Sequence, residues 1–140
     1  MRKYDVVALY RNKKSGVYIV QPMTRHTIGA DTEFGEAIFI QPRDFDREIV
    51  SITMATLPIY HQQVYRQDLA RRFSDKEYNK FEREHEHVRV ELYEDGVLEV
   101  IAMTGSAGLE GRLCLKKEEV GEKLLSALQE AFRRAGDEID

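Results

Sequence analysis

The chain has 140 residues, of which 42% are hydrophobic and 33% charged, and a formal net charge of -4. That length suits one domain with its own core, and no apolar run approaches the roughly 20 residues a bilayer span requires, which excludes a membrane-spanning helix. An acidic balance argues against nucleic acid, whose phosphates need a basic patch; it suits a basic partner, or plain solubility.

Residues 5–11 (DVVALYR) and 17–21 (VYIVQ) are rich in Val, Ile and Tyr and flank NKKSG, a turn ending in glycine, which predicts a β-hairpin. Residues 22–35 read as a connection, and 36–42 (EAIFIQP) as a third strand. RDFDREIVSITMATL then turns helical, with Asp44 at the N-cap and Phe45, Ile49 and Ile52 on one face. Pro58 breaks the chain before two short helices. The first spaces Tyr65, Leu69 and Phe73 at i, i+4, i+8, and the second opens with a capping box of Ser74 and Glu77.

The strand EHVRVELY alternates cleanly, with Val88, Val90 and Leu92 on one face and Arg89, Glu91 and Tyr93 on the other. A three-residue loop, Glu94-Asp95-Gly96, sets Leu92 opposite Leu98 and Val90 opposite Val100 in the returning strand VLEVIAM. A two-residue loop would set Leu92 against Glu99, so the pattern selects the longer one. TGSAGLEG connects to the strand RLCLK, where Cys114 is expected to be a buried, inert thiol. A helix over about 118–134 carries the stripe Val120, Leu124, Leu125, Leu128, Ala131 and Phe132, and Gly136 is its stop signal.

Both halves therefore read hairpin, glycine-bearing loop, strand, helix. The expected fold is α+β: an antiparallel sheet built from two β-β-β-α units with short helices between them. It forms a single domain over 1–140, with unit one about 4–57, a helical connection about 58–85 and unit two about 86–136. Thr27 and Gly29 in the first connection match Thr104 and Gly105 in the second, so the polar stretch 22–35 reads as a structural loop.

Few motifs carry chemistry. Arg25-His26-Thr27 could offer a base and an anion clamp, but without a partner of known position it reads as loop anchoring. His85 and His87 share one strand face at a metal-ligand spacing, yet two ligands make no site. Arg71-Arg72 and Arg133-Arg134 are small basic clusters that could touch nucleic acid; Arg133 and Arg134 fit the cation preference of a helix end. The single cysteine excludes an internal disulfide, and the N-terminus lacks a signal peptide's apolar core; both point to the cytoplasm. No phosphate-cradling glycine loop, nucleophile elbow or HExxH is present, and no catalytic set, metal or cofactor is predicted. The segment 82–99 holds seven acids against two basic residues, and Glu91 and Glu99 lie directly across from one another on the face opposite the core.

VYIVQPMTRHTIG, KEYNKFEREHEHVRVELYEDGVLEV and EEVGEKLLSALQEAF together resemble the immunity proteins paired with toxins of bacterial contact-dependent growth inhibition systems. The resemblance runs over most of the chain, loosely in 58–73. It implies a non-enzymatic protein that binds a cognate toxin C-terminal domain in the cytosol, typically a basic nuclease, and blocks its active site or substrate surface. The family offers no universal contact residues. Pattern alone nominates Asp31, Glu33 and Glu36 in the first loop and Glu91, Glu94, Asp95 and Glu99 on the hairpin.

Two other readings stay open. One is a nucleic-acid binder on the duplicated unit, since VALYRNKKSGVYIV mixes basic and aromatic residues. The other is a metal or enzymatic protein using His26, His61, His85 and His87. Val97 and Ile101, apolar on the outer hairpin face, mark a homodimer or partner surface, or lie under a loop.

Overall fold

The two β-hairpins foreseen in the sequence lie side by side in one antiparallel sheet. The structure, a computed structural model, describes residues 3–25, 31–62, 75–103 and 112–137. In chain order these form β1 (Lys3–Asn12), β2 (Tyr18–Arg25), β3 (Asp31–Glu33), β4 (Ile38–Ile40), a 3-10 turn over Pro42–Asp44, α1 (Phe45–Thr56), α2 (Ile59–Gln62) and α3 (Asp75–Glu84). Then follow β5 (His85–Tyr93), β6 (Val97–Met103), β7 (Arg112–Lys116), a 3-10 turn over Lys117–Glu119, and α4 (Glu122–Asp137). The strand order is β3-β2-β1-β5-β6-β7, with β4 pairing the other end of β2.

Unit one, β1-β2-β4-α1, and unit two, β5-β6-β7-α4, are thus two meanders joined edge to edge where β1 meets β5. That seam runs antiparallel from Lys3 opposite Tyr93 to Asn12 opposite His85. The β5–β6 hairpin has the expected register, Leu92 opposite Leu98 and Val90 opposite Val100. Gly96 takes the left-handed conformation at φ +84°. In the first hairpin Asn12 closes the turn: its Oδ1 accepts from the Lys14 and Ser15 N–H groups, each at 2.9 Å.

One face of the sheet packs under α1 and α4. Val7, Leu9, Val20, Ile40, Val88, Val90, Leu92, Leu98 and Val100 are buried there against Phe45, Ile49, Leu124, Leu128, Ala131 and Phe132. The ring of Tyr18 lies 4.2 Å from that of Phe45 and 5.0 Å from that of Phe132, tying both helices to the edge of unit one.

Several details depart from the expectations. β2 does not stop at Gln21 but runs on through Pro22 to Arg25. Val17 O accepts from Asn12 N on the β1 side, whereas Pro22 O accepts from Phe34 N on the opposite side. Even-numbered residues of β2 therefore bond away from β1. The donor that Pro22 lacks faces the gap between β4, which pairs residues 18–20, and β3, which pairs residues 23–25, so no bond to β1 is lost. The connection 22–35 thus supplies β3, a strand the sequence pattern does not reveal.

Asp44 is not a side-chain N-cap. The 3-10 turn begun at Pro42 already holds it in a helical conformation, and its carboxylate accepts from Arg47 Nη2 at 2.7 Å. Gly136 does not end its helix but lies inside α4, where a Cβ would come within 2.9 Å of Glu86 Oε1. Glycine there admits a close approach of α4 to β5. Cys114 is exposed rather than buried, because β7 is an edge strand and only Leu113 and Leu115 turn toward the helices. The readings for His26, Thr27, Gly29, Tyr65, Leu69, Arg71, Arg72, Phe73, Ser74, Thr104 and Gly105 fall outside the described residues. No helix among the described residues is long and apolar enough to cross a membrane.

Candidate partner-binding face

The second face of the sheet is divided. Toward β4 it is apolar: Val6, Ala8 and Tyr10 of β1, Ile19 and Met23 of β2 and Tyr60 of α2 are buried together, with Ala37 and Phe81 against them. Phe81 of α3 meets Tyr10 edge-on at 4.8 Å, and the imidazole of His87 stacks on Tyr10 at 4.5 Å. Burial raises the Tyr10 hydroxyl pKa and drives His87 down to about 4, so His87 is neutral at physiological pH. His85 stacks on Phe81 at 3.9 Å, with its Nδ1 2.7 Å from the Phe81 carbonyl. Both histidines of the candidate metal pair are thus part of an aromatic stack.

Along β5 toward the hairpin tip the same face is ionic. Arg89 Nε lies 2.9 Å from Glu91 Oε2, and Arg89 Nη2 also pairs with Asp31. Lys3 Nζ adds contacts to Asp31 at 3.0 Å and Glu91 at 3.8 Å. Burial lowers the Lys3 pKa, with Glu91 opposing the shift. Tyr60 donates its hydroxyl to Asp31 Oδ1 at 2.6 Å and accepts from Arg25 Nε at 3.3 Å. Glu91 and Glu99 do face each other across the ladder, and the Tyr93 hydroxyl lies 2.7 Å from Glu91 and 3.3 Å from Glu99. Its proton and the two nearby cations offset a repulsion that would otherwise weaken the hairpin. Nearby, buried Asp5 holds His61 Nδ1 at 2.5 Å, and Tyr4 stacks on that imidazole at 4.3 Å.

The seven nominated acids therefore fall into two sets. Asp31 and Glu91, with side chains each 8% exposed, are sunk in the ionic network, and Glu99 borders it, half-buried. Glu36, Glu94 and Asp95 are exposed, and Glu33 is half-buried at the end of β3. The sequence reading missed Lys3, Arg89, Tyr60 and Tyr93 as partners of the acids. Arg89 carried a usable signal: it stands two residues before Glu91, on the same strand face. Ile101 is 3% exposed, so it offers no open surface.

The opposite end of the molecule has a cleft of about 600 Å³ lined by Arg11, Arg43 and Arg133 above Tyr18, Phe45 and Phe132. Two of its arginines are internally paired. Arg11 contacts Glu86 at 3.4 Å and lies over the Tyr18 ring. Arg133 donates to Glu130 at 3.0 Å, and Arg134 does so at 3.1 Å; the two hold that carboxyl down at about 2. The basic cluster at the end of α4 is thereby turned to its own helix.

No known protein family and no curated protein matches this chain. Solved structures share its architecture, among them the following two. A Neisseria meningitidis protein of unknown function, NMB0488, superimposes with a TM-score of 0.68 at 13% identity, over 96% of this chain and 97% of that one. A chain of the CdiA-CT/CdiI toxin and immunity complex from Yersinia pseudotuberculosis superimposes with a TM-score of 0.65 at 6% identity, over 96% of this chain and 98% of that one. At such identities the likeness is one of fold. The fold is one that occurs within a toxin–immunity pair.

Proposed function

We propose that this chain is an immunity protein that binds a cognate toxin domain and blocks its active site or substrate surface. The observation that carries the reading is the end-to-end likeness to a chain of a CdiA-CT/CdiI complex, with almost nothing left unmatched on either side. The sequence resemblance to immunity proteins points the same way without using the structure.

The finer reading is that the toxin is a basic nuclease met in the cytosol. The net charge of -4 supports it, as do exposed acids at two places: Glu36 beside β4, and Glu94 with Asp95 at the hairpin tip. A nucleic-acid-binding toxin carries a basic surface, and an acidic inhibitor is steered to it and competes with phosphate there. Asp31 and Glu91 contribute little to such a field, because Lys3 and Arg89 neutralise them. Their role in this reading is to hold the face rigid.

The test is co-expression of the tagged chain with the C-terminal domain of the protein encoded immediately upstream. The expected result is a stable complex and suppression of that domain's toxicity. A toxic domain that neither co-purifies with the chain nor is neutralised by it would refute the reading.

A further inference from the structure

The cations of the described residues fall into two groups. Lys3, Arg11, Arg47, Arg89, Lys123 and Arg134 each meet a carboxylate. Lys14, Arg43, Lys76, Lys80 and Arg83 are exposed and form no ion pair among the described residues. Those five gather at one end of the molecule.

On α3, at about 100° per residue, Lys76, Lys80 and Arg83 fall within an arc of about 60° and follow one another at about 6 and 4.5 Å along the axis. The arc lies on the side away from Phe81, whose ring packs on Tyr10 and His85, so the stripe faces solvent. Glu77 and Glu84 lie a quarter turn round from it. The turn of the first hairpin is tied to the C-terminal end of this helix. Lys13 donates its backbone N–H to the Glu84 carbonyl at 2.9 Å and its Nζ to the Arg83 carbonyl at 2.8 Å, which brings Lys14 to that end of α3. Lys13 thereby fills the cation position that a helix C-terminus favours, and the stripe is left over. On the other side of the same turn, a Cβ on Gly16 would come within 3.2 Å of Pro42 Cγ, so Arg43 stands at the same end.

The exposed acids Glu94 and Asp95 lie beyond the far end of the nine-residue β5, about 30 Å from α3. Charges so far apart are screened from one another at physiological salt, so a net charge of -4 does not cancel the patch.

We infer that the Lys76, Lys80 and Arg83 stripe of α3, with Lys14 and Arg43, docks on the phosphate backbone of a nucleic-acid duplex without reading its sequence. A row of cations is complementary to a row of phosphates. The stripe holds no aromatic ring on which a single strand would stack, and no apolar residue that a lipid surface would take up. This goes beyond the immunity reading and does not depend on it: the acidic hairpin tip and the basic face of α3 are opposite poles of the molecule.

The experiment is fluorescence anisotropy of a labelled DNA duplex of about 20 base pairs, titrated with the purified full chain at salt concentrations between about 50 and 200 mM. No toxin is present, so a failure here leaves the immunity reading standing. Wild type is compared with the triple variant Lys76→Gln, Lys80→Gln, Arg83→Gln, which keeps residues of good helix propensity. Lys116→Gln on β7 removes a lysine outside the patch, and thermal unfolding verifies that each variant folds. The expected result is an affinity whose logarithm falls with the logarithm of salt at a slope of about -4, reduced to about -1 in the triple variant and unchanged in Lys116→Gln. At about 50 mM salt the triple variant should bind about 30-fold more weakly. A wild type that does not bind the duplex at about 50 mM salt overturns the inference, as does a triple variant that keeps the wild-type slope. An equal loss in Lys116→Gln overturns the patch as the site. Tighter binding to one strand of the same sequence overturns the duplex. Binding to anionic phospholipid vesicles in place of DNA, lost in the triple variant, assigns the stripe to a lipid surface and overturns nucleic acid as its partner.

Discussion

Beneath α1 and α4 the sheet buries Val88, Val90, Leu92, Leu98 and Val100, while on the other side of the same two strands lie Arg89, Glu91, Tyr93 and Glu99. The first set is held by non-directional burial and tolerates exchange of one aliphatic for another of similar volume. In the second set each group depends on a named partner at a fixed distance. Glu91 is 6% exposed yet carries a carboxylate, which is sustainable only while Arg89, Lys3 and Tyr93 stay in place. One face thus supplies bulk stability, while the other trades some of it for a defined polar arrangement.

The sharpest way to break this contrast is Arg89→Ala. It removes the guanidinium shared by two buried carboxylates, Asp31 and Glu91, leaving them to Lys3 and the tyrosine hydroxyls, and the expected cost is about 3 kcal/mol in urea unfolding. Adding Asp31→Asn, Glu91→Gln and Lys3→Met to Arg89→Met should recover most of it, because this network then holds no buried charge. A loss below about 1 kcal/mol for Arg89→Ala would mean that water already screens the network.

His87 gives the next largest effect. Its folded-state pKa of about 4 lies below the ordinary value near 6.5, so the unfolded chain binds the proton more readily. The sign follows: stability is full above about pH 6.5 and falls by about 3 kcal/mol as the pH drops to about 4. Replacing His87 with Phe should flatten the stability profile within that window. An unchanged slope would place the acid sensitivity elsewhere.

Tyr93→Phe is the mildest probe. It removes the hydroxyl between Glu91 and Glu99 and leaves the ring, for an expected loss of about 1 kcal/mol. Wild-type stability in this variant would show that the cations alone carry the acid pair.

How much of this the sequence discloses depends on range. The β5–β6 register was legible because one face is wholly apolar and a one-residue slip would bury Glu99. The α+β composition and the antiparallel sheet were legible from local patterns of alternation and helical spacing. β2 runs past the expected end at Gln21 because the donor that Pro22 lacks faces outward, a direction set by β3 and β4. Cys114 misled because alternation tells which residues share a face but not whether that face is covered. The acids were legible as a cluster, and their sorting was not. Asp31 is buried because Lys3, 28 residues away, and Arg89 on another unit converge on it. EAIFIQP was legible as a strand, and only its place at the edge beside β2 exposes Phe39.

The joint between β1 and β5 has a kinetic consequence. The β1–β2 and β5–β6 hairpins each close over a short turn, whereas the seam pairs Lys3 with Tyr93, far along the chain. Contacts at that seam are therefore the long-range ones, and folding is expected to be slowest there. The link between α1 and β5 sets the effective concentration at which the two hairpins meet, and closing that joint is the step with the largest loop entropy to overcome.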